Sequence, residues 1–306
     1  MSSPRMSSRE VAGKSGSNFI SSFRFLDREK REALTAVYAY CRLTDDIVDL
    51  ASDPGSGVTE SEAEKDLAAW ERATFRALDG GSNGAGGHPV LGELSWAVGK
   101  FGISREHVRE LIRGMRMDLQ KKSYATFEEL RPYCYRVAGV VGLMCLDIFG
   151  AADSGSKDFA VDLGTAFQLT NILRDVRADL DRGRIYVPEE DLKRFGFDPG
   201  SFRDFCLRGP GSAASAFRGL MEFECARAES FYGRAREDLP AADRRSLAAA
   251  EVMARVYHAI LAGIRKDPLR SLGDKVRLSK PELLLRVLQG WAENRLSLRF
   301  GGRAVS

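Results

Sequence analysis

Residues 168–188 read QLTNILRDVRADLDRGRIYVP. Asn171, Asp175 and Asp179 recur every four residues, a spacing that stacks side chains on one helix face. Gln168 and Arg174 lie close to that stripe. A basic tail with one glycine follows, DRGRIYVP, carrying Arg182, Arg184 and Tyr186. Folded back over the same face, Arg184 and Tyr186 could meet phosphate oxygens, and Pro188 ends the segment. The plainer reading is a salt-bridged surface helix, because Arg174, Asp175, Arg177, Asp179 and Asp181 can pair with one another.

A second acidic stretch lies upstream. Residues 38–49 read YAYCRLTDDIVD. Asp45 and Asp49 stand at i and i+4 of a helical pattern, while Asp46 points about 100° away from Asp45. Stacked carboxylates repel, so either the face is solvated or a cation sits between them. Oxygen ligands without His or Cys favour Mg²⁺, which keeps several waters and bridges to phosphate. Arg42, one turn earlier, could hold a phosphate oxygen. Tyr38, Val37, Ile47 and Val48 make the surroundings apolar. Together, two helices offering paired oxygens with an Arg beside each form a layout for gripping a diphosphate from two sides. An allylic diphosphate ionises when metal and Arg neutralise its leaving group. The resulting cation then needs a dry, apolar cavity.

Outward from these motifs the chain reads as helix throughout. Apolar residues recur at three- and four-residue intervals over about 28–50, 60–78, 104–121, 126–149, 158–180, 212–238 and 242–265. Gly, Pro, Ser and Asp punctuate 52–57, 79–89, 150–156, 197–201 and 208–212. Alternating strand patterns and fixed repeats are absent, which predicts one all-α domain of roughly ten helices. The Gly-rich 79–87 segment reads as a surface loop, since no strand precedes it as a phosphate-binding loop requires.

Composition excludes several functions. The 306 residues carry a net charge of +3, with no Lys/Arg-rich run of the nucleic-acid type. Five scattered cysteines and three distant histidines argue against a disulfide framework, a zinc site or a Cys/His nucleophile. The first nineteen residues lack an apolar h-region. The longest uncharged apolar run, 137–146, is about half the length needed to span a bilayer. These features predict a cytoplasmic protein without an integral membrane segment, and leave open peripheral contact at the inner membrane face.

With YAYCRLTDDIVD (38–49), YCYRVAGVVG (133–142) and QLTNILRDVRADLDRGRIYVPEEDL (168–192), the sequence resembles the squalene/phytoene synthase family, from about residue 15 to about 285. Head-to-tail prenyl elongating enzymes also carry two Asp-rich motifs, but without the NILRDV core and the RGRIYVP tail. The resemblance implies an isoprenoid synthase fold with a central apolar cavity. Its domain would cover 15–293, after a flexible segment 1–14 and before a tail 294–306. It implies that Asp45, Asp49, Asn171, Asp175 and Asp179 hold Mg²⁺, with Mn²⁺ as an acceptable replacement. Arg42, Gln168, Arg174, Arg184 and Tyr186 would contact diphosphates. Tyr38, Tyr133, Ala138, Val141, Gly142 and Tyr257 would line the cavity.

The residues add their own reading of that last group. Small side chains in VAGVVG would let a prenyl chain approach the helix backbone, or serve close helix packing. Tyr133 could donate a proton or stabilise a cation with its ring face, or be an ordinary core tyrosine. Near the C-terminus, KVRLSKPE (275–282) offers Lys275 and Arg277 to a diphosphate, or simply opens a solvated helix. At 15–23, SGSNFISSF departs from the Ser- and Tyr-rich stretch usual in the family.

Within the family, YCYRVAGVVGL, RGRIYVPEEDLKRFGF and VRLSKP look most like bacterial presqualene diphosphate synthases. Those enzymes join two farnesyl diphosphates and need no NADPH. Phytoene synthase, acting on geranylgeranyl diphosphate, and squalene or dehydrosqualene synthase are the alternatives in the family. A catalytically silent helical relative is the alternative outside enzymology, though a scaffold has no need of repelling carboxylates.

Overall fold

Helices form where the apolar spacing predicts them, and polar side chains mark their starts. The computed structural model describes residues 6–15, 26–53, 55–81, 87–209, 211–273 and 276–299. In chain order the α-helices are α1 (Ser8–Ser15), α2 (Arg28–Asp49), α3 (Glu60–Leu78), α4 (Pro89–Phe101), α5 (Arg105–Gln120), α6 (Phe127–Cys134), α7 (Val140–Phe149), α8 (Ser156–Arg174), α9 (Val176–Asp181), α10 (Glu189–Arg194), α11 (Pro199–Arg208), α12 (Ala214–Glu237), α13 (Ala248–Lys266) and α14 (Lys280–Arg299). No strand forms among the described residues; an isolated parallel bridge joins Ser123 and Ile185. Asp27, Thr59, Ser104, Thr126 and Asp198 accept backbone N–H bonds at the starts of α2, α3, α5, α6 and α11, satisfying donors that a helix start leaves free. Helix α8 runs through the middle, packed by α7, α12 and α13.

Five local departures separate the structure from the sequence reading. Stretch 126–149 is one continuous helical path, but Tyr135–Gly139 is a π-helical turn following Pro132. Helix 158–180 breaks at Asp175 (φ −106°, ψ 14°) into α8 and α9. The helix expected from 242 begins instead at Ala248. Upstream of it, Asp243 Oδ2 accepts from Ala152 N (3.0 Å), Asp153 N (2.8 Å) and Ser156 Oγ (2.8 Å), so this carboxylate anchors the start of α8. Residues 8–15, expected within a flexible lead-in, form α1, and Val11 and Ala12 are buried. At the other end α14 runs to Arg299, past the expected boundary at 293.

The path Phe127–Phe149 is also longer than its uncharged run. With 23 residues and mean hydropathy 1.3 it meets the length and composition of a membrane span, yet 56% of that window is buried in the bundle. It is a core helix here. Glycine allows its close approach to α8. A Cβ on Gly142 would lie 2.6 Å from the Ala160 carbonyl oxygen, and one on Gly164 would lie 2.7 Å from that of Ala138.

The basic tail after α9 is tied down on two sides. Ile185 N donates to Lys122 O (2.8 Å) and Glu189 N to Tyr124 O (2.9 Å). Beyond it, Arg227 on α12 binds Asp191 Oδ2 and both Glu224 oxygens, each at 2.7 Å. The side chains of Asp191 and Glu224 are 6% and 4% exposed. Burial pushes the Glu224 carboxyl up to about 8, against the pull of Arg227.

Three stability outcomes follow from this packing. Gly164→Ala should lower the unfolding free energy by about 1–3 kcal/mol through overpacking. Gly99→Ala, on an exposed face of α4 with open space at its Cβ, should instead raise it by up to about 1 kcal/mol. Urea denaturation reads both. Arg227→Met should cost about 3–5 kcal/mol at neutral pH, because two buried carboxylates lose their cation. Without Arg227 the Glu224 carboxyl, already raised by burial, moves further above its unfolded value, so the deficit should be smaller at pH 5 than at pH 8. Equal deficits at both pH values would contradict the assignment.

Candidate active site

The end of α2, the α8–α9 junction and the docked tail converge on one polar pocket of about 410 Å³. Asp45, Asp49 and Arg42 enter from α2, and Gln168, Asn171 and Arg174 from α8. Asp175, Asp179, Arg184 and Tyr186 follow along the chain. Tyr38, Tyr133, Tyr257 and Arg277 complete the wall. The two acidic motifs, more than a hundred residues apart in sequence, thus face one space. Lys275 lies outside the described residues.

On the α2 side every acid has a guanidinium near it. Arg42 pairs with Asp45 Oδ2 (3.1 Å) and Asp46 Oδ1 (2.5 Å). Asp45 is half-buried. Loss of hydration and the neighbouring Asp49 charge push its carboxyl up to about 7, with Arg42 opposing. Asp49 is 6% exposed. Arg184 Nη1 donates to its Oδ1 (2.7 Å) and Arg182 Nη2 lies 3.4 Å from its Oδ2. Arg184 Nη2 also reaches Val48 O (3.4 Å) and Ser52 Oγ (3.3 Å), and its Nε is buried without a partner. Arg184 was read as folding back toward phosphate. Its hydrogen-bond acceptors are all on or just after α2, so it clamps the tail to the first motif.

On the α8 side the four-residue spacing survives the helix break. Asp175 N donates to Asn171 O, and Asp179 N to Asp175 O, both at 2.9 Å. Arg174 makes a two-pronged bond to Asp175 (3.0 and 2.7 Å) and also bonds the Tyr257 hydroxyl. Asn171 Nδ2 donates to Gln168 Oε1 (3.5 Å), while Asn171 Oδ1 is buried with no partner. An orphaned amide oxygen beside carboxylates is a donor set that fits a hard cation. No group of three His, Cys, Asp or Glu among the described residues forms a ready-made metal cage. A cation shared between protein oxygens and substrate phosphate needs none.

One residue of this site escaped the sequence reading. Asp118 on α5 is 2% exposed. It accepts from Tyr186 OH (2.7 Å) and Tyr133 OH (3.1 Å), and the two phenols lie 3.3 Å apart. Tyr133 was expected to be a proton donor or a ring-face stabiliser. Here its proton is already engaged by Asp118 and Tyr186. The available signal was position: Asp118 shares the buried stripe of α5 with Leu111 and Met115.

Below the polar pocket lies an apolar cavity of about 250 Å³, and Tyr38, Gln168, Asn171 and Tyr257 border both. Ala138, Val141 and Gly142 line it, as the family resemblance implied. Gly142 also serves the close helix contact, which is the packing reading of VAGVVG. Phe149 and Phe159 line the cavity too. By their places on α7 and α8 they stand at the end remote from the acids.

The family model for squalene/phytoene synthase matches residues 12–282. A phytoene synthase of Mycobacterium tuberculosis is 37% identical over 267 residues, 86% of this chain and 82% of the relative. A 15-cis-phytoene synthase of Synechocystis is 33% identical over 92% of this chain and 83% of its own length. Among solved structures, a dehydrosqualene synthase superposes with TM-score 0.76 at 28% identity, covering 94% of this chain and 95% of that one. A squalene synthase from Alicyclobacillus acidocaldarius gives TM-score 0.70 at 29% identity, over 85% and 92%. The matched span takes in every element that builds the pocket and its apolar annexe, and the chain belongs to the squalene/phytoene synthase family.

Proposed function

We propose that this chain couples two farnesyl diphosphates head to head in the presence of Mg²⁺ and releases the cyclopropylcarbinyl C30 product, presqualene diphosphate. The family performs head-to-head prenyl transfer on isoprenyl diphosphates, so the proposal concerns chain length, product and cation. One observation carries it: a pocket lined by oxygen ligands and guanidiniums shares walls with an apolar cavity. That pairing suits a substrate with an ionic head and a hydrocarbon body.

Asp45, Asn171, Asp175 and Asp179 would hold Mg²⁺. Asp49 could join them only by exchanging its bonds to Arg184 and Arg182. Bound there, the ion would neutralise charge on the departing diphosphate. Arg42 and Arg174 are placed to take phosphate oxygens in exchange for their present carboxylate partners. The cavity walls exclude water from the allylic cation left behind. Its C1 would alkylate the C2–C3 double bond of the second substrate, and loss of a proton to the released diphosphate would close the cyclopropane.

The farnesyl length is supported by the presqualene-type wording of 133–143 and of the RGRIYVP tail, and by the phenylalanines at the cavity end. A second reading, two geranylgeranyl diphosphates giving phytoene, is favoured by the names of the relatives at 33–37% identity. Product analysis by mass spectrometry separates the two. The purified protein with Mg²⁺ and farnesyl diphosphate should give a C30 diphosphate in equal amount with and without NADPH. A C40 hydrocarbon from geranylgeranyl diphosphate, or squalene formed only with NADPH, would replace this product with one of its family rivals.

Substitution tests the metal roles separately. Asp45→Asn and Asp175→Asn should each abolish turnover, by at least about a hundredfold on the scale of lost electrostatic stabilisation, with the fold retained. Near wild-type activity in either variant would remove that residue from the set. Removing Mg²⁺ with EDTA should stop product formation, and adding Mn²⁺ should restore it.

A further inference from the structure

We infer that Asp118 is a positioning residue that fixes the hydroxyls of Tyr133 and Tyr186 and acts on the reacting prenyl chain through them. The inference rests on the head-to-head reading above and adds a residue to that site. Asp118 itself does not line the pocket, whereas both tyrosines do.

The hydrogen bonds allow little other arrangement. Each phenol has one proton. That of Tyr186 goes to Asp118 Oδ1, and that of Tyr133 goes to Asp118 Oδ2 or the Tyr186 oxygen. Both tyrosines line the pocket, and with their protons turned toward the carboxylate neither hydroxyl has one left to donate there. The rings are also locked by stacking. Tyr133 and Tyr186 lie 5.1 Å apart at 19°, and buried Tyr124 packs on both, at 5.8 and 6.2 Å.

A merely structural spacer would not need the charge. Burying a carboxylate costs several kcal/mol, and among the described residues no cation forms an ion pair with Asp118. The groups facing it are Arg184, Asp49, Asp45, Tyr124 and the two phenols. Burial pushes its carboxyl up to about 6, opposed first by Arg184 and then by the phenols. The gain lies in electrostatics: a fixed negative group behind two phenols makes their oxygens more electron-rich. They then face the place where an allylic cation develops, already oriented when it forms.

A double-mutant cycle separates this role from a structural one. Asp118→Asn, Tyr133→Phe, Tyr186→Phe and their combinations would be assayed on the isoprenyl diphosphate that the wild-type protein turns over. D118N should lower kcat about 10- to 100-fold, with KM changed less than about threefold and the melting temperature nearly kept. Added to the Tyr133→Phe/Tyr186→Phe protein, D118N should cost less than about threefold more, because its route is already cut. An equal loss in both backgrounds would overturn the inference, as would a loss carried by KM alone. If D118N does not fold, Asp118→Glu takes its place in the same cycle. Alkaline tyrosine titration reads the contact without catalysis. D118N should let Tyr133 and Tyr186 ionise at lower pH, and an unchanged titration overturns the role even if no diphosphate is turned over and the function reading falls separately.

Discussion

The bond between Arg184 and Asp49 is the interaction on which the site's architecture depends. It joins the end of α2 to a tail 135 residues later, with side chains 4% and 9% exposed. Removing one partner of such a pair leaves an uncompensated buried charge, which is far costlier than losing a surface bridge. The tail cannot simply swing away, because backbone bonds to Lys122 and Tyr124 hold one side and the Arg227–Asp191 pair holds the next turn. Held in this way, the tail delivers Tyr186 to Asp118 and closes the polar pocket opposite Asp45.

A crowd of acids in a low-dielectric pocket is an unstable arrangement unless something compensates it. Two devices do so here. Guanidiniums pair with Asp45, Asp46, Asp49 and Asp175. Phenols satisfy Asp118. The remaining strain appears as the raised carboxyl of Asp45 and the partnerless Asn171 oxygen. Both would be relieved by a hard cation brought with a diphosphate. The apolar cavity beside the pocket would separate the two halves of the proposed chemistry, with charge handled in the polar pocket and the allylic cation sheltered below.

Much of this was legible from residue spacing, since helix periodicity is a local property. The bounds of α2, α3, α5 and α12 fall within about two residues of the expected ones. The acidic pairs were legible for the same reason: four residues always share a face. Events set by distant partners were not. The π-helical turn at 135–139 slips the register without disturbing apolar content. Asp243 looks like an early helical residue, but α8 takes its carboxylate. Asp118 and Arg227 read as ordinary helix charges until tyrosines and carboxylates from elsewhere surround them. Arg184 lines the pocket and bonds Asp49, a pairing the sequence does not specify because a basic residue beside an acidic motif has more than one acceptor to choose from. The packing of Phe149 and Phe159 at the cavity wall brings two helices together, which no single segment encodes.

The central claim is that both acidic motifs grip one diphosphate through shared cations. Thermal unfolding with a non-ionisable farnesyl thiodiphosphate tests it most directly. The account requires that analogue and Mg²⁺ together raise the melting temperature well beyond either alone, as binding to the folded state alone demands. Asp45→Asn and Asp175→Asn should each remove most of that joint effect. Equal stabilisation without Mg²⁺, or full stabilisation in either variant, would contradict it.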